Sequence, residues 1–210
     1  MQETEAKFFV HNLEKIEMRL QGLEARLLQP RLLEQNIRFD LPDGRLRAEG
    51  RVLRLRRDAA IHITYKDPST RNEGVMSRRE LEFEVSDWDI AKSFLEALGY
   101  WPFFHYEKYR RTYEFGDCHI MLDELPYGNF VEIEGETVEA IKAVSDQLCL
   151  NWDAAIAASY HELFERLYGT QNNLDPMRLT FAVLNGLKIT PDELSVHPAD
   201  GERPGNMSIT

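Results

Sequence analysis

Charges of one sign recur at alternate positions along segment after segment of this chain, and that constrains its fold more than any other feature. In "ETEAK" a helix would spread Glu3, Glu5 and Lys7 round its cylinder. In a strand they share one face at intervals of about 6.5–7 Å, with Thr4, Ala6 and Phe8 on the other. Arg54 and Arg56 alternate with Leu53 and Leu55, and Lys66 lies with Thr64 and His62 against Ile61, Ile63 and Tyr65. Glu80, Glu82 and Glu84 oppose Leu81, Phe83 and Val85; Lys108 and Arg110 oppose Tyr109 and Arg111; Glu132 and Glu134 oppose Val131 and Ile133.

A sheet with one wet face is the ordinary source of such alternation. Wet faces, however, mix Lys, Glu, Thr, Ser and Gln, whereas each segment here is nearly pure in sign. Like charges held together repel and call for counter-ions. Acidic pairs suit hard divalent cations such as Mg²⁺ or Mn²⁺. Basic pairs suit phosphate oxygens, which arginine can grip in bidentate fashion. If the sheet closes with its charges inward, the lumen becomes a polar tunnel for metal and polyphosphate together, and the apolar faces turn outward to helices.

The order of elements agrees. Residues 12–28 carry Leu13, Ile16, Leu20, Leu23 and Leu27 at helical spacing. Residues 35–58 read as two or three strands broken at Pro42-Asp43-Gly44, "AIHITYKD" as another strand, and "PSTRNEG" as a mobile polar loop. "RRELEFEV" is a strand, and "SDWDIAKSFLEALG" a helix with Ser86 as N-cap and Gly99 beyond its end. Three more strands follow, then helical patterns at 137–149 and 152–168, the second capped by Asn151. The stretch 170–210 is expected to hold one short helix near 176–185 and a loose tail, docked on the main body or on a second subunit of a homodimer. The pattern is α+β with antiparallel pairing, divided into residues 1–169 and an extension over 170–210.

Composition limits the partners. A net charge of −11 argues against nucleic acid, which demands neutralised phosphates. Yet seven arginines fall between Arg38 and Arg57, which favours a small, highly anionic ligand. No apolar run reaches membrane-span length and no export signal opens the chain, so the expected setting is cytoplasmic, with Cys118 and Cys149 reduced.

Six pieces in order resemble the CYTH superfamily, the triphosphate tunnel metalloenzymes. "ETEAK" resembles its N-terminal E-x-E-x-K signature; "LRLR", "ITYKD", "RRELEFEV", "KYRRTY" and "MLDELPYGNFVEIEG" follow, and the likeness extends over residues 1–168. It implies a closed antiparallel eight-stranded β-barrel with a charged lumen, covered outside by α-helices, binding a triphosphate and Mg²⁺ or Mn²⁺, two ions in all. By the same resemblance, Glu3, Glu5, Glu132 and Glu134 look like metal ligands, with Asp123 as a further ligand or orienter. Lys7, Arg54, Arg56, Lys66, Lys108 and Arg110 look like the phosphate clamp. Lys7, Glu5 and Glu134 are expected to take part in catalysis, and Glu80 and Glu82 either touch metal or position the bases. His62 and His119 are expected to line the barrel or cap its rim, Tyr160 to pack on a helix with its hydroxyl at the barrel mouth, and Trp88, Trp101 and Trp152 to lie in the core.

The family implies two reactions on the same residues: hydrolysis of inorganic triphosphate or a small organic triphosphate such as ATP or thiamine triphosphate, or, as in class IV adenylyl cyclases, conversion of ATP to cyclic AMP and pyrophosphate. With no adenine-reading motif in view, hydrolysis is the expected reaction. A binding module without catalysis would need the bases more than the acids, and the acidic pairs are intact.

Overall fold

A computed structural model describes residues 2–72, 74–168 and 174–201. The elements run β1 (Gln2–Val10), α1 (Leu13–Gly22), β2 (Arg26–Asp40), α2 (Arg45–Ala48), β3 (Val52–Arg57), β4 (Ile61–Lys66), β5 (Thr70–Asn72), β6 (Val75–Val85), α3 (Trp88–Ala97), β7 (Trp101–Phe115), β8 (Cys118–Leu125), β9 (Gly128–Gly135), α4 (Val138–Gln147), α5 (Tyr160–Tyr168) and β10 (Arg178–Leu179). Strands pair in the order β1-β9-β8-β7-β2-β3-β4-β6, and β6 returns to β1, closing an eight-stranded antiparallel ring. β5 extends β6 as a hairpin, and β10 adds a short parallel pairing to β7. Closure bends the long β2–β7 pair, whose register slips between Leu27 and Gln29, between Gln29 and Leu32, and between Arg38 and Phe39.

Two apolar layers cover the outside. Phe8, Ile120, Val131 and Ile133 face outward and meet Ile16 and Leu20 of α1 and Ile141 of α4. Leu53, Leu55 and Ile63 meet Ala91 and Leu95 of α3. Cover is incomplete over β6, where Leu81 and Phe83 stay exposed, as do Ile90, Phe94 and Leu98 on the outer stripe of α3. The third cluster lies at the barrel end. Phe9 and Phe130 share the inward parity of Lys7 and Glu132, and they pack with Tyr127, Tyr160 and Phe164 into an aromatic plug beneath α5. Gly128 permits this closeness: its φ is +150°, and a Cβ there would stand 2.7 Å from the Phe9 ring.

Several local expectations are corrected. The first helix ends at Gly22, not at 28, because Glu24 takes a left-handed conformation (φ 56°) and Arg26 is drawn into pairing with Glu114. The cap of α3 is Asp87 rather than Ser86; its carboxylate accepts from the Ile90 amide at 2.8 Å. After Gly44 the chain forms the short helix α2 instead of running straight into β3. The pattern at 152–168 splits: a single 3₁₀ turn at Trp152–Ala154 is followed by extended chain, which bridges Ala155 to Phe8 and donates from the Ile156 amide to the Lys7 carbonyl at 2.8 Å. That backbone pairing to β1 outcompetes the helix. The polar loop contributes β5, and Trp101 is 65 % exposed rather than core.

No helix forms near 176–185; β10 and a series of turns stand there. Residues 187–201 are docked rather than loose. Leu194, Val196 and Ala199 are buried, the Ala199 amide donates to the Phe9 carbonyl at 2.8 Å, and Asp200 accepts from the His11 and Asn12 amides at 3.0 Å. The remainder of the expected tail, 202–210, lies outside the described residues. Among the described residues no helix is long and apolar enough to cross a membrane.

Candidate active site

Parity turns the charges inward, and register assembles them. Pairing of β1 with β9 sets Glu5 opposite Glu134 and Lys7 opposite Glu132. Pairing of β3 with β4 and of β4 with β6 sets Arg54 across from Thr64 and then Glu82, and Lys66 across from Glu80. The result is one cavity of about 540 Å³ lined by Glu5, Lys7, Arg54, Arg56, Lys66, Glu80, Glu82, Lys108, Arg110, Glu132 and Glu134.

Opposite charges bind one another across this lumen. The Lys7 ammonium lies 3.0 Å from Glu132 and 3.6 Å from Glu5, bridging two carboxylates. Burial alone would lower its pKa, but Glu132 and Glu5 outweigh burial and raise it. Burial likewise opposes the charge on Glu132, yet Lys7, Arg110 and Lys108 hold its carboxyl well below the usual range. Lys66 meets Glu80 at 2.6 Å, and Arg56 meets Glu82 at 2.9 Å. Arg54 reaches Glu82 at 3.6 Å and the Thr64 hydroxyl at 3.3 Å.

Asp123 lies behind the cavity wall with no exposure at all. It accepts from Lys108 at 3.0 Å, from Arg110 Nε at 2.6 Å and from the Tyr160 hydroxyl at 2.8 Å. Its geometry is that of an orienter. The Tyr160 hydroxyl thus reaches inside the barrel, where Lys7 and Lys108 also stand over its ring at 4.4 and 5.0 Å. Burial first, and then the negative charge of Asp123, raise its pKa well above that of ordinary tyrosine. The side chain of Glu3 lies outside the described residues; its backbone pairs with Arg78. His119 is exposed at the rim, while His62 is half-buried with an unpartnered Nδ1.

Several residues in or beside the lumen escaped sequence reasoning. Glu34 is 1 % exposed, takes a hydrogen bond from Asn36 at 3.0 Å and stands 3.7 Å from Lys108. Burial would raise its carboxyl, but Lys108, Arg110, Arg54 and Arg56 overcome that and hold it down to about 2. Arg38, Arg78 and Tyr106 also line the cavity. The signal was present: Glu34, Asn36 and Arg38 alternate with Ile37 and Phe39, and Arg78 is one step before Glu80 on the same face.

The CYTH domain model matches residues 1–151. The chain belongs to the CYTH family. CYTH proteins generally process triphosphates and generally depend on divalent metals. No curated protein matches this CYTH chain in sequence. Among solved structures, a Vibrio parahaemolyticus protein named as a candidate adenylate cyclase is 24 % identical, with a TM-score of 0.71 over 78 % of this chain and 97 % of the other. A Pyrococcus horikoshii protein is 27 % identical, with a TM-score of 0.65 over 75 % and 96 %. A Hippeastrum protein, described as a candidate adenylyl cyclase with dominant triphosphatase activity, is 19 % identical, with a TM-score of 0.57 over 83 % and 98 %.

Glu5, Glu132 and Glu134 supply oxygen only, the donor chemistry of Mg²⁺ or Mn²⁺, and the Lys7 ammonium between Glu5 and Glu132 occupies the place of a cation. Among the described residues no three acids or histidines are yet gathered tightly enough to share one ion. The donor set fits in its chemistry, with the Lys7 ammonium bridging Glu5 and Glu132.

Proposed function

We propose that this CYTH protein is a divalent-metal-dependent triphosphatase acting on inorganic triphosphate or a small organic triphosphate within the closed barrel. The observation that carries this reading is the mutual neutralisation of the lumen. Arg56, Lys66, Lys108 and Arg110 are each held by carboxylates, as is Lys7 between Glu5 and Glu132. A triphosphate entering among the bases takes the place of Glu5 and Glu132 as the partner of Lys7 and Arg110. Glu5, Glu132 and Glu134, with Glu3 from the same first strand, would then hold Mg²⁺ or Mn²⁺, two ions in the fullest version. When bound, such ions neutralise phosphate oxygens and supply an activated water.

The chain's own residues divide the remaining work. Lys7, an ammonium paired with Glu5 and Glu132 in the ligand-free lumen, stabilises negative charge on the transferring phosphate. Arg54, Arg56 and Lys66 grip the chain from one side and Lys108 and Arg110 from the other, the last two aimed by Asp123. Glu80 and Glu82 hold the bases on β3 and β4 in place. Hydrolysis is favoured over cyclisation because Phe104 and Phe130 at the plugged end are consumed in packing, 1 % and 0 % exposed.

A product-resolved panel tests the reading: inorganic triphosphate, ATP and thiamine triphosphate, each with Mg²⁺ or Mn²⁺. Release of inorganic phosphate supports it. Cyclic AMP and pyrophosphate from ATP would replace it with the cyclase reaction, and absence of turnover on all three would refute it.

A further inference from the structure

Arg38 is the exception to the neutralised lumen. It lines the cavity from β2, its Nε is shut off from water, and among the described residues nothing accepts a hydrogen bond from it or pairs with its charge. Its register partner on β3 is Arg54, so two guanidinium side chains stand opposite one another on neighbouring strands. Like charges in that position cost stability unless an anion lies between them. Glu162 acts on Arg38 through space, but its carboxylate is committed to Arg71 at 2.8 Å and to the Ser159 amide at 2.7 Å. The other neighbours offer no counter-charge: the Phe103 ring lies 5.4 Å away, and Arg78 is a further cation.

The start of α5 opens on the same cavity through Ser159, Tyr160 and His161, and its N-terminus is already capped: the Ser159 amide donates to the Glu162 carboxylate and the Glu162 amide to the Ser159 hydroxyl. Phe104 packs on His161 at 4.4 Å and on Tyr106 at 5.5 Å. A guanidinium with no carboxylate partner favours an anion.

We propose that Arg38, at the α5 end of the cavity, forms a subsite for one further phosphate group beyond the three the clamp holds, so that the protein favours linear polyphosphates longer than triphosphate. This rests on the triphosphatase reading above and extends it to the length of the chain.

Inorganic triphosphate and tetraphosphate serve as probes for the wild type, Arg38→Gln and Arg38→Lys, with affinity read by calorimetry and KM by phosphate release. The wild type should bind tetraphosphate at least about tenfold more tightly than triphosphate, the worth of one charged hydrogen bond. Arg38→Gln should erase that preference, weakening tetraphosphate more than triphosphate, and Arg38→Lys should restore part of it. The ligand-free Arg38→Gln protein should melt at or above the wild-type temperature, because an uncompensated charge has been removed. Equal weakening toward both probes, no change toward either, or a lowered melting temperature overturns the subsite and leaves the triphosphatase reading standing. A wild type that binds neither probe overturns both.

Discussion

Replacing Glu34 with Gln isolates the charge that holds the bases of the barrel together. Glu34 is 1 % exposed, so solvent screens it little, and its carboxyl is held down to about 2 from an ordinary 4.5 by Lys108, Arg110, Arg54 and Arg56. A difference of that size corresponds to about 3 kcal/mol at roughly 1.4 kcal/mol per unit. The sign follows from the depressed pKa: the stabilisation is complete above 4.5, declines below it, and is gone once pH has fallen through about 2. Gln keeps the shape and can still accept from Asn36, so the substitution removes charge and little else. Denaturant melts of both proteins between pH 7 and pH 3 should show a gap of about 3 kcal/mol at neutral pH that narrows steadily below pH 4.5. The same variant should bind triphosphate more tightly, since a buried negative charge has left the lumen. A gap that is absent at pH 7, or equally wide at pH 3, would refute the claim that Glu34 acts as counter-charge to the clamp.

Asp123→Ala should strand Lys108 and Arg110 without their shared partner and cost about 3–5 kcal/mol, seen as a melt lowered by roughly 6–20 °C and partly restored by added triphosphate. Tyr160→Phe removes a single hydrogen bond to the same carboxylate and should cost only about 1–2 kcal/mol by the same melt. Changing Arg54 and Arg56 together to Gln should abolish the triphosphate-induced rise in melting temperature; an undiminished rise would mean that their strand does not face the ligand. His161, lowered to about 4 by burial and then by Arg38 and Arg47, should stay neutral at pH 5.5 by NMR, and the stability gained by keeping it neutral should fade as pH drops from 6.5 toward 4.

The barrel was legible because period-two alternation survives every context: a strand either shows its charges to one side or it does not. The pairs at 54/56, 80/82, 108/110 and 132/134 all turned inward, and the same rule applied to β2 would have found Glu34 and Arg38. They were passed over because Glu34-Asn36-Arg38 mixes acid, amide and base, and so lacks the single sign that drew attention elsewhere. Asp123 could be named from the sequence but not given its work, since its bonds to Lys108, Arg110 and Tyr160 join β8 to β7 and α5 and depend on closure. Local propensity failed where distant backbone competed for the same residues. Leu27 carries a helical pattern but pairs with Tyr113, and Ala155 and Ile156 give up helix to pair with β1. The docking of Leu194, Val196 and Ala199 beneath a Pro- and Asp-rich surface had no periodic signature to reveal it.

The most direct test of the account is phosphate release from inorganic triphosphate by the wild type and by the Glu132→Gln, Glu134→Gln double variant, each with Mg²⁺ or Mn²⁺ and with chelator. Turnover by the wild type is expected only when metal is present. The double variant should lose turnover although its melt shows a folded protein that still binds triphosphate through the bases. Undiminished hydrolysis by the double variant, or by the wild type in chelator, would contradict it.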